Sequence, residues 1–465
     1  MPLRYLSNAK ELIREICRGE LKQQAKGFVR TVNVGNFCAY CVCGLPIVLK
    51  QYNPNFKLKF HVGSIPLLSV SRTVPARADV LKEKTNRRTR IYFSIGSLPY
   101  ADNGSGIPRV AKELSAQGLK RSDVDCLPVY PDPVSGKYRV AMAWLRNRHE
   151  VTRCELDARE DGVDPEISVM SGDWLIHSMI NANEIDYMAA YFREFRRIGG
   201  KVGFILHDLI PEDYPQFYKN RDVKLYRRWL ARLHESDGIF AISKATLDSY
   251  CQWANRNGIK VGNIGTFHLG ANFKKPNSTS NVVLPKELLS HPFFLQVSTI
   301  EPRKGYQQLL DAFDELWQSG CNVNLAIVGR AGWKVRSLCK RISSHPELGR
   351  RLFWFNRAPD DVLYCLYQKS RAVVVASEAE GFGLSVAEAL FHGKDVIARD
   401  LAVFREIAGD SAVYFEGKDA RHLAEAIHNV MISSPNTNSP IPPLRWEESF
   451  NQLLMLIQEF SDDRN

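Results

Sequence analysis

Hydrophobic and polar positions alternate along most of the chain in a way that predicts strands and helices in turn. Between residues 90 and 243, four apolar runs are separated by stretches with helical spacing. This arrangement is typical of βα units in a parallel sheet. The four runs are RIYFSIGS (90–97), SVMSGDWLI (168–176), KVGFILHD (201–208) and GIFAIS (238–243).

A second alternating series begins after Pro285–Pro292. Its runs are FFLQVST (293–299), VNLAIVG (323–329), LFWFN (352–356), AVVVAS (372–377) and KDVIARD (394–400). The pattern therefore predicts two successive α/β sheets with a hinge near residue 288. Open parallel sheets bind ligands at the carboxyl ends of their strands, so we expect a cleft between the two sheets.

The two ends of the chain have a different character. The first 30 residues predict an amphipathic helix with basic side chains between its apolar positions, and a proline-rich linker precedes a final helix near the C-terminus. The predicted segments are an N-terminal extension (1–89), a first Rossmann-like domain (90–288), a second Rossmann-like domain (289–432) and a C-terminal helix (444–465) that returns toward the first domain.

Charge is concentrated in the N-terminal extension. The chain has 62 basic and 51 acidic residues, and residues 1–90 hold 17 of the basic and 5 of the acidic ones. The remaining 375 residues are close to neutral. The basic helix either lies on an anionic membrane surface, through residues 1–30, or packs on the protein with a solvated basic face. The extension lacks interleaved aromatic and basic residues, which argues against nucleic acid as a partner.

Cysteine usage and hydropathy point to a cytoplasmic protein. Most of the ten cysteines are isolated, and the cluster Cys38-x2-Cys41-x-Cys43 lacks the second ligand pair of a zinc site, so we expect thiols without a metal. Charges interrupt the N-terminus, which predicts no secretory signal. The longest apolar stretch has about 13 residues, whereas a membrane-spanning helix needs about 20.

The strongest candidate chemistry follows the apolar run 372–377. Glycines in the segment Glu380–Ser385 allow close approach of a ligand, and a helix that starts near Leu384 would offer free backbone N–H groups to an anion. Glu380 and Glu388 flank this segment, and carboxylates suit sugar hydroxyls better than phosphate. Taken alone, the segment is equally compatible with a glycine-rich turn that has solvated carboxylates.

Two cations follow the apolar run 293–299. Arg303 and Lys304 could form charge-assisted hydrogen bonds with a diphosphate at the end of that strand. A basic turn by itself is more often a solvated surface. The significance of this pair therefore depends on whether it faces the Glu380 segment.

Seven motifs in order resemble the family-four glycosyltransferases of the GT-B fold. They are NGSGIPRV (103–110), HDLIPEDYP (207–215), ISKAT (242–246), HLGANF (268–273), TIEPRKG (299–305), AIVGRAGW (326–333) and EGFGLSVAE (380–388). The resemblance is to mannosyltransferase-like and rhamnosyltransferase-like bacterial members that build surface polysaccharides such as lipopolysaccharide. It implies an α/β protein in which two Rossmann-like domains face a central cleft, with a basic N-terminal extension.

The resemblance implies a role for each of the central residues. Glu380 would hold the hydroxyls of the donor sugar, Glu388 those of the ribose, and His207 would lie against the sugar. Arg303 and Lys304 would bind the diphosphate and stabilise the charge on the leaving group. With Glu380 and His207, these two cations form the expected catalytic set.

Other positions carry over as donor-binding or acceptor-side residues. The acceptor side, in the first domain, would include Arg109 and Asp208. The expected donor-binding residues, besides those already named, are Gly104, Gly106, Gly329, Arg357, Gly381, Phe382, Gly383, Leu384 and Ser385. The first glycine loop lacks the third glycine of a dinucleotide fingerprint, which disfavours NAD binding.

The implied reaction is retaining and needs no metal or other cofactor. A hexose, mannose or a 6-deoxyhexose being favoured, would pass from a nucleoside-diphosphate sugar, with GDP favoured, to a glycan acceptor that we expect to be lipid-linked at the inner membrane. The alternatives are a nucleotide-sugar 2-epimerase and an inactive, membrane-associated GT-B scaffold. An epimerase would lack the GSGIPR and HDLIPEDYP segments, and the intact set of charged residues argues against an inactive scaffold.

Overall fold

The computed structural model describes the backbone of three short N-terminal strands and most of the chain after residue 87. The described residues are 29–34, 37–42, 45–48, 88–99, 106–146, 164–273, 282–434 and 443–462. The chain divides into two compact units, residues 1–87 with 132–136, and residues 88–131 with 137–465.

The smaller unit contains an antiparallel sheet in the order β1-β2-β3. Its strands are β1 (Val29–Val34), β2 (Phe37–Val42) and β3 (Leu45–Val48). Most of the helix predicted over residues 1–30 lies outside the described residues, and at its end Val29 begins a strand instead. The side chains of Cys38, Cys41 and Cys43 also lie outside the description.

The larger unit begins with a seven-stranded sheet in the order β10-β9-β8-β7-β4-β5-β6. Its strands are β4 (Arg90–Ser94), β5 (Asp125–Asp132), β6 (Lys137–Val140), β7 (Trp174–His177), β8 (Lys201–Leu206), β9 (Gly238–Ala241) and β10 (Ile264–Thr266). Its helices are α1 (Gly106–Lys120), α2 (Met142–Arg146), α3 (Ala182–Arg197), α4 (Ile210–Asp213), α5 (Asn220–Leu230) and α6 (Lys244–Arg256). From β10 to β5 all neighbouring strands are parallel.

One predicted strand begins later than its sequence pattern suggests. The run over residues 168–176 forms a strand only from Trp174, because a turn with Gly172 at φ +85° precedes it. Asp173 stabilises this turn by accepting a hydrogen bond from the backbone N–H of Met170 at 2.8 Å.

The second sheet has six parallel strands in the order β13-β12-β11-β14-β15-β16. Its strands are β11 (Phe293–Val297), β12 (Asn324–Val328), β13 (Leu352–Phe355), β14 (Ala372–Val375), β15 (Asp395–Arg399) and β16 (Ala412–Phe415). Its helices are α7 (Tyr306–Gln318), α8 (Arg336–Ser343), α9 (Asp360–Lys369), α10 (Leu384–Phe391), α11 (Ala402–Ala408) and α12 (Ala420–Ile432). The strand order reverses between β11 and β14, which is where an open α/β sheet binds ligands.

Burial on both faces explains the continuous apolar strands. All four residues of β14 are buried, as parallel strands covered by helices require. The final helix, α13 (Trp446–Asp462), packs on the first sheet, where Phe450 and Leu453 share a core with Ile91. The predicted fold class, two parallel α/β sheets in the GT-B arrangement, is confirmed.

Candidate active site

A cavity of about 1600 Å³ lies between the two sheets. It is lined by the loops that follow β8, β11, β12 and β14 and by one side of α1. Every described residue that the sequence predicts as catalytic, donor-binding or acceptor-side lines this cavity. Gly104 lies outside the described residues. The nominated residues in its wall are Gly106, Arg109, His207, Asp208, Arg303, Lys304, Gly329, Arg357, Glu380, Gly381, Phe382, Gly383, Leu384, Ser385 and Glu388.

Glu380 forms ion pairs with both cations of the TIEPRKG motif. Its Oε1 lies 2.5 Å from Lys304 Nζ, and its Oε2 lies 2.9 Å from Arg303 Nη1. Ser377 donates a further hydrogen bond to Oε1 at 2.8 Å. These residues meet because β11 and β14 are neighbours, so the loops at their carboxyl ends lie side by side. All three charged side chains are nearly buried, with 11–13% of each exposed.

Burial and pairing set the protonation of this cluster. Burial raises the pKa of Glu380, but Lys304 and Arg303 outweigh it and lower the pKa to about 2. Burial and the charge of Arg303 together lower the pKa of Lys304, against the opposing effect of Glu380. Burial raises the pKa of Asp208, and Arg303 opposes that rise. The cluster thus holds an ionised carboxylate against two cations in a site with little water, where charges interact strongly.

Two glycines shape the loops that carry these charges. Gly305 has φ +69°, and a Cβ there would lie 2.0 Å from the carbonyl oxygen of Ala376, so only glycine lets the two loops approach. Gly383 has φ +94° and caps the N-terminus of α10, whose first residues, Leu384 and Ser385, line the same cavity as Glu380. The result is a helix N-terminus beside two cations, a combination that favours phosphate.

Glu388 is paired across the cleft with the first domain. One of its oxygens accepts a hydrogen bond from Arg109 on α1, and the other accepts one from Tyr367 at 2.8 Å. The guanidinium of Arg109 also lies 4.4 Å from the centre of the Phe273 ring. Both oxygens of this carboxylate are therefore engaged by protein groups, and one of those groups comes from the opposite domain.

His207 is a buried, neutral imidazole at the end of β8. Its Nε2 donates a hydrogen bond to the carbonyl oxygen of Ser178 at 2.8 Å, and burial lowers its pKa to about 4 against the effect of that bond. Its own carbonyl oxygen lies against Gly381, where an added Cβ would approach to 1.9 Å. The hydroxyl of Ser243 donates to the carbonyl oxygen of Gly381 at 2.7 Å, which fixes the glycine loop to the first domain.

Sequence reasoning missed two groups beside the site. Glu301 lies in the cavity wall next to Arg303, and burial raises its pKa against the charges of Arg303 and Lys304. Trp333 stacks on Tyr218 with ring centres 5.4 Å apart and donates to the carbonyl oxygen of Phe217 at 2.8 Å. Glu301 belongs to the motif TIEPRKG and Trp333 to the motif AIVGRAGW. The carboxyl group of the first and the aromatic ring of the second were the features of the sequence that could have identified them as site residues.

Two further observations concern metal ligands and membrane-spanning helices in the described part of the chain. In the part that the structure describes, no three His, Cys, Asp or Glu side chains are grouped so as to hold a metal ion. No described helix has the length and apolar character needed to cross a bilayer.

Similarity to known proteins extends over most of the chain. Residues 285–441 match the family model described as "Glycosyl transferases group 1". The chain is 31% identical over 393 residues to the serotype-specific mannosyltransferase WbdA of Escherichia coli, a match that covers 81% of this chain and 47% of that protein. It is 24% identical over 227 residues to the O-antigen chain mannosyltransferase RfbU of Salmonella typhimurium, covering 48% of this chain and 59% of that protein.

A solved structure supports the fold. The N-terminal domain of Candida albicans trehalose-6-phosphate phosphatase aligns with a TM-score of 0.55 and 12% identity, over 82% of this chain and 96% of that domain. The chain spans about half the length of the WbdA proteins that it matches. The matched region 285–441 contains Arg303, Lys304, Glu380 and Glu388, so these four residues lie in a segment that is similar to the glycosyl transferases group 1 family.

Proposed function

We propose that this chain is a retaining glycosyltransferase that moves a hexose from a nucleoside-diphosphate sugar to a glycan acceptor. The observation that carries the proposal is the meeting of Arg303, Lys304 and Glu380 at the N-terminus of α10, inside one interdomain cavity. The cations and N–H groups of this site suit a diphosphate, and its carboxylate suits hydroxyl groups. A sugar nucleotide contains both kinds of group.

The donor would lie along α10. Its diphosphate would contact Arg303, Lys304 and the N–H groups after Gly381, and its sugar would lie between Glu380 and His207. The base would lie against Gly329 and the segment 356–358, which also line the cavity. Glu388 lies one turn further into the helix, and its carboxylate would accept hydrogen bonds from the ribose hydroxyls.

Transfer would proceed on one face of the sugar. The bond between the anomeric carbon and the phosphate oxygen breaks, and a bond to the acceptor oxygen forms on the same face. The departing phosphate oxygen takes the proton of the acceptor hydroxyl. Arg303 and Lys304 stabilise the charge that develops on the leaving diphosphate, so that the protein contributes mainly positioning and electrostatic stabilisation. We propose that these two cations fill the role that a metal ion has in other transferases.

The acceptor would enter along the first domain. The cavity continues past Asp208 and Arg109 to Gln117, Asn181 and Asn183, whose side chains suit a ligand rich in hydroxyls. The names of the similar proteins favour mannose as the sugar and an O-antigen-type polysaccharide as the product. We further propose a lipid-linked acceptor, with the basic residues 1–30 holding the protein at an anionic membrane surface.

A donor-binding screen tests the proposal without an acceptor. Calorimetric titration of the purified chain with GDP-mannose, UDP-glucose and dTDP-rhamnose is expected to show saturable binding of at least one donor, with GDP-mannose the tightest. The variant Lys304→Ala should lose that binding while it keeps its circular dichroism spectrum. Absence of binding for every sugar nucleotide would contradict the proposal.

A further inference from the structure

Glu380 forms ion pairs with the two cations that the diphosphate of a donor would need. Its two oxygens lie 2.5 Å from Lys304 Nζ and 2.9 Å from Arg303 Nη1. A carboxylate and a phosphate both present oxygen acceptors that match these donors. A diphosphate can therefore reach Arg303 and Lys304 fully only when Glu380 gives them up.

The charge of the cluster leads to the same conclusion. Two cations, Arg303 and Lys304, are surrounded by three carboxylates in the same cavity wall, those of Glu380, Glu301 and Asp208. These carboxylates therefore offset the positive charge that Arg303 and Lys304 would otherwise offer to a diphosphate. A carboxylate close to the cations also repels an added anion. Moving Glu380 away from the cations weakens this repulsion.

Contacts other than those with Glu380 hold the Arg303 guanidinium and the backbone of Lys304. Arg303 Nη1 also donates to the carbonyl oxygen of Ala379 at 2.8 Å, and the backbone carbonyl of Lys304 accepts a hydrogen bond from Gln296 at 3.0 Å. In addition, Arg303 Nε is buried without a hydrogen-bond partner among the described residues, although Glu301 Oε2 lies 3.2 Å away. A phosphate oxygen would give this donor the partner that it lacks.

We propose that Glu380 is an internal counter-ion that exchanges with the diphosphate of the donor and later drives the release of the nucleoside diphosphate. Before the donor binds, it neutralises Arg303 and Lys304. When the donor binds, the diphosphate takes the cations and Glu380 turns to the sugar hydroxyls. After the sugar has moved to the acceptor, Glu380 has no hydroxyl partner, and it recaptures the cations and displaces the product.

This inference rests on the proposed function, and inorganic pyrophosphate tests it separately. Pyrophosphate carries the diphosphate without base or sugar, so its affinity reports competition with Glu380 alone. Calorimetry at pH 6.5 suits the test, because the pKa of Lys304 is lowered and a lower pH favours its charged form. The variant Glu380→Gln is expected to bind pyrophosphate about tenfold more tightly, the size of a competing hydrogen bond to a charged group.

A variant in the same loop provides the matched control. Glu378 pairs with Lys418, so Glu378→Gln removes one negative charge without freeing Arg303 or Lys304. Its pyrophosphate affinity should stay within twofold of the unchanged protein. An equal gain in both variants would overturn the inference in favour of a general charge effect, and so would an unchanged or weaker affinity in Glu380→Gln.

Two further measurements keep the inference distinct from the proposed function. Stopped-flow measurement should show that GDP dissociates more slowly from Glu380→Gln than from the unchanged protein. The variant Glu380→Asp keeps the charge but has a shorter side chain, so its dissociation rate should fall between those of the unchanged protein and Glu380→Gln. If Glu380→Gln does not fold, the Asp variant still decides the question. If the unchanged protein binds neither nucleotide nor pyrophosphate, the proposed function itself is contradicted. If the unchanged protein binds both and Glu380→Gln binds pyrophosphate no more tightly, only the counter-ion role is overturned.

Discussion

Arg109 on α1 and Glu388 on α10 form an ion pair that joins the two domains across the cleft. The Glu388 side chain is 4% exposed, whereas that of Arg109 is 24% exposed, so the carboxylate depends on this cation and on Tyr367 for its solvation. In the proposed function a ribose would need the same carboxylate, so the Arg109–Glu388 pair would stand where the nucleoside binds. Donor binding at this end must therefore compete with a contact between the domains.

The first prediction concerns the stability that this pair provides. Arg109→Ala is expected to lower the free energy of unfolding by about 2 kcal/mol, because it leaves a buried carboxylate without its charged partner. The double variant Arg109→Ala, Glu388→Gln should recover much of the loss, since the unpaired charge is then absent. Urea unfolding of the single and double variants measures both effects. Equal stability of Arg109→Ala and the unchanged protein would contradict the role of the pair.

The second prediction concerns the cations and the carboxylate of the donor site. Glu380→Ala and Lys304→Ala should each lower the turnover number by at least about a hundredfold, because each removes a group that contacts the reacting sugar or the leaving diphosphate. Both variants should keep the circular dichroism spectrum of the unchanged protein. Glu378→Ala, a change in the same loop outside the cluster, should retain activity. Full activity in either site variant would defeat the assignment.

The third prediction is a pH dependence of stability that arises from His207. The pKa of this imidazole is about 4 in the folded protein, against about 6.5 in an unfolded chain. Between these values the unfolded chain binds a proton that the folded protein does not, so stability falls as the pH falls from about 6.5 to 4. The full loss would be about 3 kcal/mol.

The variant His207→Gln tests this pH dependence. A glutamine amide can still donate to the carbonyl of Ser178 but does not titrate, so the fall in unfolding free energy between pH 7 and pH 4.5 should be smaller. His291→Gln, at an exposed position, is the control and should behave like the unchanged protein. The same pH slope in His207→Gln as in the unchanged protein would show that His207 is not the group responsible.

The fourth prediction concerns the approach of the glycine loop to the first domain. Gly381→Ala would place a Cβ 1.9 Å from the carbonyl oxygen of His207, so the two domains must separate or the loop must shift. We expect at least a tenfold loss of transfer activity and a destabilisation of about 1–3 kcal/mol. Gly262→Ala is the matched control, because no atom lies within 4 Å of its added Cβ. Similar activity in the two variants would argue against a tight interdomain contact.

Much of the fold follows from the sequence pattern because parallel strands are long apolar runs. All four residues of β9 and of β14 are buried, and both were predicted at nearly their observed positions. The pattern did not reveal β5, β6, β10 or β16. The strands β10 and β16 are short, half-buried and without a continuous apolar run. In β5 two prolines, Pro128 and Pro131, interrupt the apolar run, and β6 alternates buried with more exposed residues over only four positions. It also placed the start of β7 too early, because Gly172 and its turn were not recognised as a break.

The site illustrates which information the sequence lacks. Periodicity places Arg303 and Glu380 at strand ends, but it does not say that β11 and β14 are neighbours, because two other strands lie between them in the chain. The resemblance to a known family supplied that adjacency. The pair Arg109–Glu388 depends on the relative orientation of two domains, and no local pattern encodes it.

The most direct test of the central claim is a transfer assay with GDP-mannose and a mannose oligosaccharide, read by NMR of the new linkage. The account predicts that the purified chain forms a glycoside with the anomeric configuration of the donor, and that Lys304→Ala forms none. A product of inverted configuration, or undiminished transfer by Lys304→Ala, would contradict it.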